Sequence, residues 1–413
     1  MTTVGIIVEY NPLHNGHEYH FEQSKKISNA DAVIAVMSGN FLQRGEPSIV
    51  NKWARTEMAL HMGADLVIEL PVIYSSQPAE WFAFGAISAL DATGIVDHLC
   101  FGSESGELEI LQTLAKKLKE EPVRFGVEVK QQLKKGINYP AAYTSAIQKI
   151  LPFEKSEHMD LSQPNNTLGL HYLIAIERLN SSIQPLTITR QKAGYHQQEV
   201  TDQRIASATA IRKLIFEKQN QSYFSQYMPN YTYEVLQREF QSGRGPIDWE
   251  CLKDQLLYKL LSITPTECSH YFEVTEGLEN RLKQTLPELH SDSSFSVTKL
   301  LDLLKTKRYT RTKLQRTLLR ILLNHYKTDI TIDKLKKGTP YLRVLGFSDK
   351  GQHLLKKMKK TSKVPIITKV NKNHTSLLEM DIRATSIYSL SYQNPSAKEM
   401  FQDYYQPPLI LKQ

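Results

Sequence analysis

Cysteine is scarce in this chain, whose 413 residues contain only Cys100, Cys251 and Cys268. These three lie far apart and show no Cys-x-x-Cys spacing, which argues against a disulfide framework and against a zinc site. Long apolar runs are also lacking, since no stretch approaches the roughly eighteen apolar residues of a membrane-spanning helix. The amino terminus carries no basic stretch followed by a hydrophobic one. We therefore expect a cytoplasmic protein without membrane contact.

Acidic charge is in the minority, with 43 Asp or Glu against 51 Lys or Arg and a net charge of +8. The excess is concentrated, because residues 301–360 hold seventeen Lys or Arg against four Asp. Such a cluster is typical of a surface that follows a phosphate backbone, although a solvated charged face is the alternative. No zinc-finger, KH or RRM signature is visible, so recognition of RNA would depend on shape and unpaired bases. The predicted RNA contacts are Arg311, Lys313, Arg316, Arg320, Lys356 and Lys357.

Strand-like and helix-like patterns alternate through the first half of the chain. Short apolar runs at 4–8, 32–37, 66–70, 95–101 and 186–189 read as strands, and helical patterns lie between them. This alternation predicts an α/β fold with a parallel sheet and crossover helices. A lysine-rich helical insertion is expected at about 106–150. Long helical patterns follow, so we predict a first domain over 1–220 and a mainly helical, basic domain over 221–413.

Two histidines follow the first predicted strand, in the sequence His14-Asn15-Gly16-His17. In a parallel sheet this position lies at the carboxyl ends of the strands, where the N-terminus of a helix offers N–H groups to a phosphate. Gly16 leaves room for a nucleotide, and His14 and His17 can donate hydrogen bonds as charge develops on phosphate oxygens. The alternative is that one histidine caps the helix and the other is a surface residue. The context favours a catalytic pair.

Further candidates follow other strands. The loop 41–50, with Gln43 and Arg44, either closes over a ligand or is a solvated connector. Gly102 follows the fourth strand and permits close approach of a nucleotide. Asn165 either caps a helix or contacts the adenine or ribose.

A second cluster of phosphate-binding types lies further along the chain. Arg190 ends the fifth predicted strand, where it contacts a phosphate or forms a surface salt bridge. Ser207 and Thr209 stand at the start of a helix with Arg212 one turn in. Hydroxyl groups and N–H groups at a helix start form a second phosphate site, which capping by Ser207 alone does not explain.

These motifs carry a resemblance. The His-x-Gly-His element and the Ser-x-Thr-x-x-Arg segment resemble the signatures of the nucleotidyltransferase superfamily, whose fold is Rossmann-like of the HUP type. The strings GIIVEYNPLHNGHEYH, FGSESG, PNNTLGLHY and RYTRTKLQR more closely resemble the bacterial tRNA(Met) cytidine acetate ligases. The resemblance implies that ATP activates acetate as acetyl adenylate. The acetyl group then passes to N4 of the wobble cytidine, C34, of elongator tRNA(Met).

The resemblance implies catalytic roles for His14 and His17. Together with the second phosphate site, it gives the predicted ATP-binding residues Ile7, Val8, Glu9, Tyr10, Asn11, Pro12, Leu13, His14, Asn15, Gly16, His17, Glu18, Tyr19, His20, Gly102, Asn165, Arg190, Ser207, Thr209 and Arg212. ATP is expected as its magnesium complex, with no metal site of the protein's own. The main alternative is a small-molecule nucleotidyltransferase that transfers AMP or CMP to a phosphorylated metabolite. An RNA-binding protein with a relic site would leave both motifs without a purpose.

Overall fold

The structure is a computed structural model. It describes residues 1–120, 123–137, 139–150, 160–189, 206–217, 222–291, 294–371 and 375–412. The strands are β1 (Thr3–Val8), β2 (Ala32–Ser38), β3 (Leu66–Leu70), β4 (His98–Ser103), β5 (Gln184–Thr189), β6 (Leu342–Ser348), β7 (Ile366–Ile367) and β8 (Leu409–Leu411). Helices in the first half are α1 (Asn15–Ser28), α2 (Lys52–Met62), α3 (Val72–Ser75), α4 (Ala79–Ala92), α5 (Leu108–Leu118), α6 (Val123–Lys134), α7 (Tyr139–Ile150), α8 (Pro164–Leu179) and α9 (Ala208–Glu217).

The second half is rich in helices. They are α10 (Ser222–Ser225), α11 (Asn230–Gln241), α12 (Lys253–Ser262), α13 (Pro265–Ser269), α14 (Leu278–Thr285), α15 (Val297–Leu304), α16 (Arg311–Leu322), α17 (Ile332–Leu335), α18 (Asp349–Thr361), α19 (Ser376–Ser389), α20 (Ala397–Met400) and α21 (Gln402–Tyr405). Short 3-10 helices cover Trp249–Leu252 and Leu286–Ser291.

The strands form a sheet with the order β5-β4-β1-β2-β3-β6-β7, and β8 pairs with β6. β1 to β5 run parallel to one another, so their carboxyl ends meet at one edge. The predicted α/β architecture with crossover helices is confirmed. Helices α5, α6 and α7 occupy the stretch in which the helical insertion was expected.

Each central strand is buried on both faces, which explains its unbroken apolar sequence. In β2, Val33 and Met37 pack into one hydrophobic core, whereas Ile34 and Val36 pack into the other. This division follows from the two-residue period of a strand. Two cores therefore sandwich the sheet and fix the positions of its carboxyl ends.

Three strands after residue 340 were missed by the sequence analysis. β6 pairs antiparallel with β3, and β7 and β8 pair parallel with β6. The chain after the predicted boundary therefore contributes strands to the sheet that begins with β1. The division into domains near residue 220 stays a prediction.

Candidate active site

The His14-Asn15-Gly16-His17 segment forms the turn from β1 into α1. His14 is the N-cap of α1, and its Nδ1 accepts a hydrogen bond of 3.1 Å from the N–H of Gly16. Nδ1 of His17 accepts the N–H of His14 at 3.3 Å, which completes a capping box. The two ring centroids lie 3.8 Å apart at an interplanar angle of 31°. The helix start thus fixes both imidazoles side by side.

The capping bonds also set the tautomer of each ring. A neutral imidazole has one proton, and a nitrogen that accepts a hydrogen bond does not carry it. Nδ1 is the acceptor in both His14 and His17, so Nε2 holds the proton in the neutral rings. The site therefore presents two adjacent N–H groups of the kind that stabilise charge developing on phosphate oxygens.

The turn before His14 has an unusual backbone. Tyr10 has a φ of 50°, in the left-handed region that a bulky residue rarely adopts. Its buried ring contacts the edge of His17 at a centroid distance of 5.1 Å. The Asn11 carboxamide oxygen accepts the N–H of Ile49 at 2.7 Å. Such local strain persists where the surroundings fix it, which is common at functional sites.

The Ser207–Arg212 segment is tied directly to this turn. Ser207 Oγ accepts the N–H of Ala210 at 3.1 Å, as expected of a cap at the start of α9. Nη1 of Arg212 donates to the carbonyl of Asn11 at 2.8 Å, and Nη2 lies 3.7 Å from a carboxylate oxygen of Glu46. Arg212 thus ties the Ser207–Arg212 segment to the turn before His14. The cap that Ser207 forms on α9 would not by itself make this connection.

A third part of the site lies at the carboxyl end of β4. The Glu104 carboxylate accepts the side-chain NH₂ of Asn165 at 2.6 Å and the backbone N–H of Asn166 at 2.7 Å. This places a negative charge at the N-terminus of α8, where the helix dipole favours it. The N-cap of α8 is Gln163, so the alternative prediction that Asn165 caps this helix is wrong. Arg190 lies outside the described residues.

A cavity of about 300 Å³ opens where these parts meet. Pockets that bind cofactors and small substrates begin at about this volume. The predicted residues that line it are Ile7, Val8, Glu9, Tyr10, Asn11, His14, Gly16, His17, Tyr19, His20, Gly102, Asn165, Ser207, Thr209 and Arg212. The predicted residues Pro12, Leu13, Asn15 and Glu18 do not line it. Leu13 is instead packed in the hydrophobic core.

Part of the cavity lining was not predicted from the sequence. These residues are Leu42, Glu46, Phe82, Leu99, Cys100, Phe101, Leu168, Tyr172, Ile188, Thr189, Ala206 and Ala208. Several of them directly precede or follow a predicted residue. Their position at the end of a predicted strand could have indicated that they line the site. Phe82 and Tyr172 belong to helices; Tyr172 ends the PNNTLGLHY string, whereas no local pattern marks Phe82 as part of a site.

The loop 41–50 is a fixed part of this site. Gln43 donates its N–H to Glu9 Oε1 at 2.8 Å and its side-chain NH₂ to the carbonyl of Gln77 at 3.0 Å. On the other side, Gln315 of α16 donates to Glu46 Oε1 at 3.1 Å, and Trp249 Nε1 donates to the carbonyl of Gly45 at 3.1 Å. The alternative prediction of a solvated connector is wrong. Helix α16 therefore lies directly behind one wall of the cavity.

A buried arginine holds the strand ends beneath the cavity. Arg55 is completely buried and donates to the backbone carbonyls of Glu9, Ser38, Gly39 and Val50. Burial lowers its pKa to about 10, which still leaves it charged at neutral pH. The guanidinium thus fixes the ends of β1 and β2 together.

The predicted RNA contacts on α16 separate into two groups. Arg311 and Lys313 are partly exposed near the start of the helix and form surface ion pairs with Asp302 and Glu276. Arg320 is 0% exposed, and it donates to Ser76 and pairs with Glu273. Since a buried guanidinium cannot reach RNA, the prediction for Arg320 is wrong.

Arg316 is also an internal residue. It is 9% exposed, and its Nε lies 3.1 Å from a carboxylate oxygen of Glu273. Glu273 therefore forms ion pairs with both Arg316 and Arg320, and its carboxylate offsets their positive charge inside the protein. The prediction that Arg316 belongs to an exposed RNA-binding face is wrong for the same reason.

Lys356 and Lys357 are exposed on α18, but on the far side of the sheet. Ser348, the N-cap of α18, bonds Asp65 just before β3, and Thr361 bonds the carbonyl of Thr93 before β4. Both contacts lie at the amino ends of the parallel strands. Strands of this length separate the two edges of the sheet by roughly 20 Å. These lysines therefore cannot contact a nucleotide bound in the cavity.

Within the ranges given above, no group of three or more His, Cys, Asp or Glu side chains is arranged to hold a metal ion. Among the helices of those ranges, none is long and apolar enough to cross a membrane.

Comparison with known proteins gives a consistent result along the whole chain. A family model described as HIGH nucleotidyl transferase matches residues 1–403. The tRNA(Met) cytidine acetate ligase of Acetivibrio thermocellus is 41% identical over 421 residues, which cover 100% of both chains. The protein of the same name from Halothermothrix orenii is 42% identical, over 98% of this chain and 99% of its own.

Solved structures agree with the sequence relatives. The apo crystal structure of Thermotoga maritima TmcAL matches with a TM-score of 0.90 and 34% identity, over 100% of both chains. A second crystal structure of that protein, bound with alpha-thio ATP, matches with a TM-score of 0.89. The predicted nucleotidyltransferase fold is thereby confirmed.

Proposed function

Because this chain belongs to the HIGH nucleotidyl transferase family, we propose that it is an ATP-dependent tRNA(Met) cytidine acetate ligase, like the relatives that it matches over their full length. The observation that carries this proposal is the cavity, which both phosphate-binding motifs and the end of β4 line together. A related structure that contains an ATP analogue supports ATP as a substrate. We infer that its RNA substrate is elongator tRNA(Met) and that it acts in the cytoplasm.

The reaction has two steps. In the first, a carboxylate oxygen of acetate attacks the α-phosphorus of ATP, forms acetyl adenylate and releases pyrophosphate. In the second, N4 of the wobble cytidine attacks the acetyl carbon, so that a C–N bond forms and AMP leaves. The wobble base is already unpaired in the anticodon loop, which lowers the cost of moving it into the cavity.

The first step makes an electrostatic demand on the protein, because charge grows on the α-phosphate and on the departing pyrophosphate. The paired Nε2–H groups of His14 and His17 suit the α-phosphate. Ser207, Thr209 and Arg212 suit the β- and γ-phosphates. Magnesium is expected to arrive with ATP and to offset the charge of these phosphates.

The RNA is expected to approach from the side of α16. This helix supports the loop 41–50 behind the cavity wall, and its first turn carries Arg311 and Lys313. Their cationic groups can contact backbone phosphates of the anticodon arm while the wobble base occupies the cavity.

The test is incubation of the protein with labelled acetate, ATP and transcribed elongator tRNA(Met), followed by measurement of the label in RNA. Label should require ATP and the wobble cytidine. It should fall by about 10²- to 10³-fold in His14→Asn, because asparagine still caps the helix but lacks the Nε2–H donor. Consumption of ATP on a phosphorylated metabolite, with no labelled RNA, would favour the small-molecule nucleotidyltransferase instead.

A further inference from the structure

The second step of the proposed reaction needs a proton acceptor. As cytidine N4 bonds to the acetyl carbon and AMP leaves, N4 must lose one proton. The exocyclic amine of cytidine is a poor nucleophile while it keeps both protons. A base within hydrogen-bond reach is therefore expected among the side chains that line the cavity.

The two catalytic histidines are unsuited to this task. Nδ1 of His14 and of His17 already accepts a backbone N–H, and Nε2 carries the proton. The Nε2–H group of each ring is also needed as a donor to phosphate. The third histidine of the lining, His20, has its Nε2 buried within the protein.

The described residues of the lining carry two carboxylates, Glu9 and Glu46. Glu46 lies 3.7 Å from Arg212 and accepts a hydrogen bond from Gln315. These contacts engage Glu46 with Arg212 and with α16, which leaves Glu9 as the stronger candidate.

Glu9 lies at the carboxyl end of β1, one residue before the strained Tyr10. Oε1 of Glu9 accepts hydrogen bonds from the N–H of Gln43 at 2.8 Å and from Oγ of Ser38 at 3.2 Å. They fix the carboxylate plane between the end of β2 and the loop. The carboxylate is thus held in place through one oxygen at the cavity wall.

The surroundings of Glu9 also suit a base. The charged groups that face it are Arg55 of α2 and Arg44 of the loop. Burial raises the pKa of Glu9, and the hydrogen bonds and the two arginines oppose that effect without cancelling it. A carboxylate with a raised pKa accepts a proton more readily than an ordinary one, which favours general-base catalysis near neutral pH.

We propose that Glu9 is the general base of acetyl transfer and accepts the proton that cytidine N4 loses. This inference rests on the proposed function. The electron pair of N4 forms the bond to the acetyl carbon, the acetyl–oxygen bond breaks, and AMP departs with that electron pair. The proton moves from N4 to the Glu9 carboxylate and then to solvent.

The decisive variant is Glu9→Gln, because its amide oxygen can still accept both hydrogen bonds but the side chain cannot take up a proton. Two half-reactions are measured separately. Acetate-dependent exchange of labelled pyrophosphate into ATP reports the first step, and transfer from synthetic acetyl adenylate to tRNA reports the second. We expect transfer to be slower by roughly 10²- to 10⁴-fold, a loss much larger than any change in exchange. The exposed residue Glu107 gives the matched control, Glu107→Gln.

The pH dependence adds a readout that a structural role would not change. Wild-type transfer should rise with pH as Glu9 ionises and then level off, whereas Glu9→Gln should lack this rise. Ser38→Ala removes a donor to the ionised carboxylate, so the rise should move to higher pH. Equal losses in both half-reactions, or unimpaired transfer, would overturn the role of Glu9. Failure of the wild-type protein to acetylate tRNA would overturn the proposed function itself.

Discussion

Gly45 joins the cavity wall to α16, and replacing it with alanine should disturb both. Its φ is 77°, and a Cβ atom there would lie 2.5 Å from the backbone nitrogen of Arg316. The obstacle is backbone, so no side-chain rotation can relieve the overlap. Gly136 has a similar φ of 80°, but nothing lies within 4 Å of its Cβ position. Gly136→Ala is therefore a matched control that shares the backbone conformation and lacks the clash.

The expected magnitudes differ for this reason. A residue other than glycine in the left-handed region costs roughly 1–2 kcal/mol of stability, and this cost applies to both variants. Overlap in a packed interior adds about 1–3 kcal/mol, which applies to Gly45→Ala alone. We therefore expect Gly45→Ala to lower the free energy of unfolding by roughly 2–5 kcal/mol, as the sum of the two effects.

Urea unfolding monitored by circular dichroism gives the stability, and steady-state kinetics give the effect on the site. Leu42, Gln43, Arg44 and Glu46 line the cavity on either side of Gly45, so a shifted loop misplaces them. kcat/KM for ATP should fall about ten- to a hundredfold in Gly45→Ala and stay near wild type in Gly136→Ala. Equal losses of stability in the two variants would refute the argument that contact with α16 fixes the loop.

The remaining predictions concern RNA binding and pH. The charge reversals Arg311→Glu and Lys313→Glu together should raise KM for tRNA at least tenfold and flatten its salt dependence. The pair Lys356→Glu and Lys357→Glu, at the opposite edge of the sheet, should have a smaller effect in the same titration; an equal effect would contradict our placement of the RNA. Burial and the nearby Glu69 carboxylate raise the pKa of Asp381 to about 7. The folded state therefore retains this proton, so Asp381 contributes stability at low pH that is lost as pH rises from about 4 to about 7. Urea midpoints of the wild type should fall relative to those of Asp381→Asn over that range, and a rise would contradict the assignment.

The two motifs that line the cavity were accessible from the sequence because they are local. An apolar run, a turn and a helix start lie within about fifteen residues at His14 and His17, so short-range patterns determine the arrangement. The same holds for Ser207 and Arg212 at the start of α9. That both motifs belong to one site was implied by the family resemblance, which assigned both to ATP.

The role of single charged residues was harder to predict. Arg320 and Lys313 occupy the same basic helix, yet Arg320 is buried against Ser76 and Glu273 and Lys313 is partly exposed. Nothing local distinguishes them, because the partners of Arg320 lie 47 and 244 residues away. A count of basic residues therefore overestimated the surface available to RNA.

The sequence by itself determined the parallel core, the two segments that start α1 and α9 at the cavity, and the family. These depend on the periodicity and residue types of short segments, and such segments keep their preferences within any compatible fold. Only the tertiary structure decided that β6, β7 and β8 join the sheet, that α16 supports the cavity wall, and that α18 lies at the far edge. Each of these depends on pairing or packing between segments distant in sequence, for which local patterns carry no information.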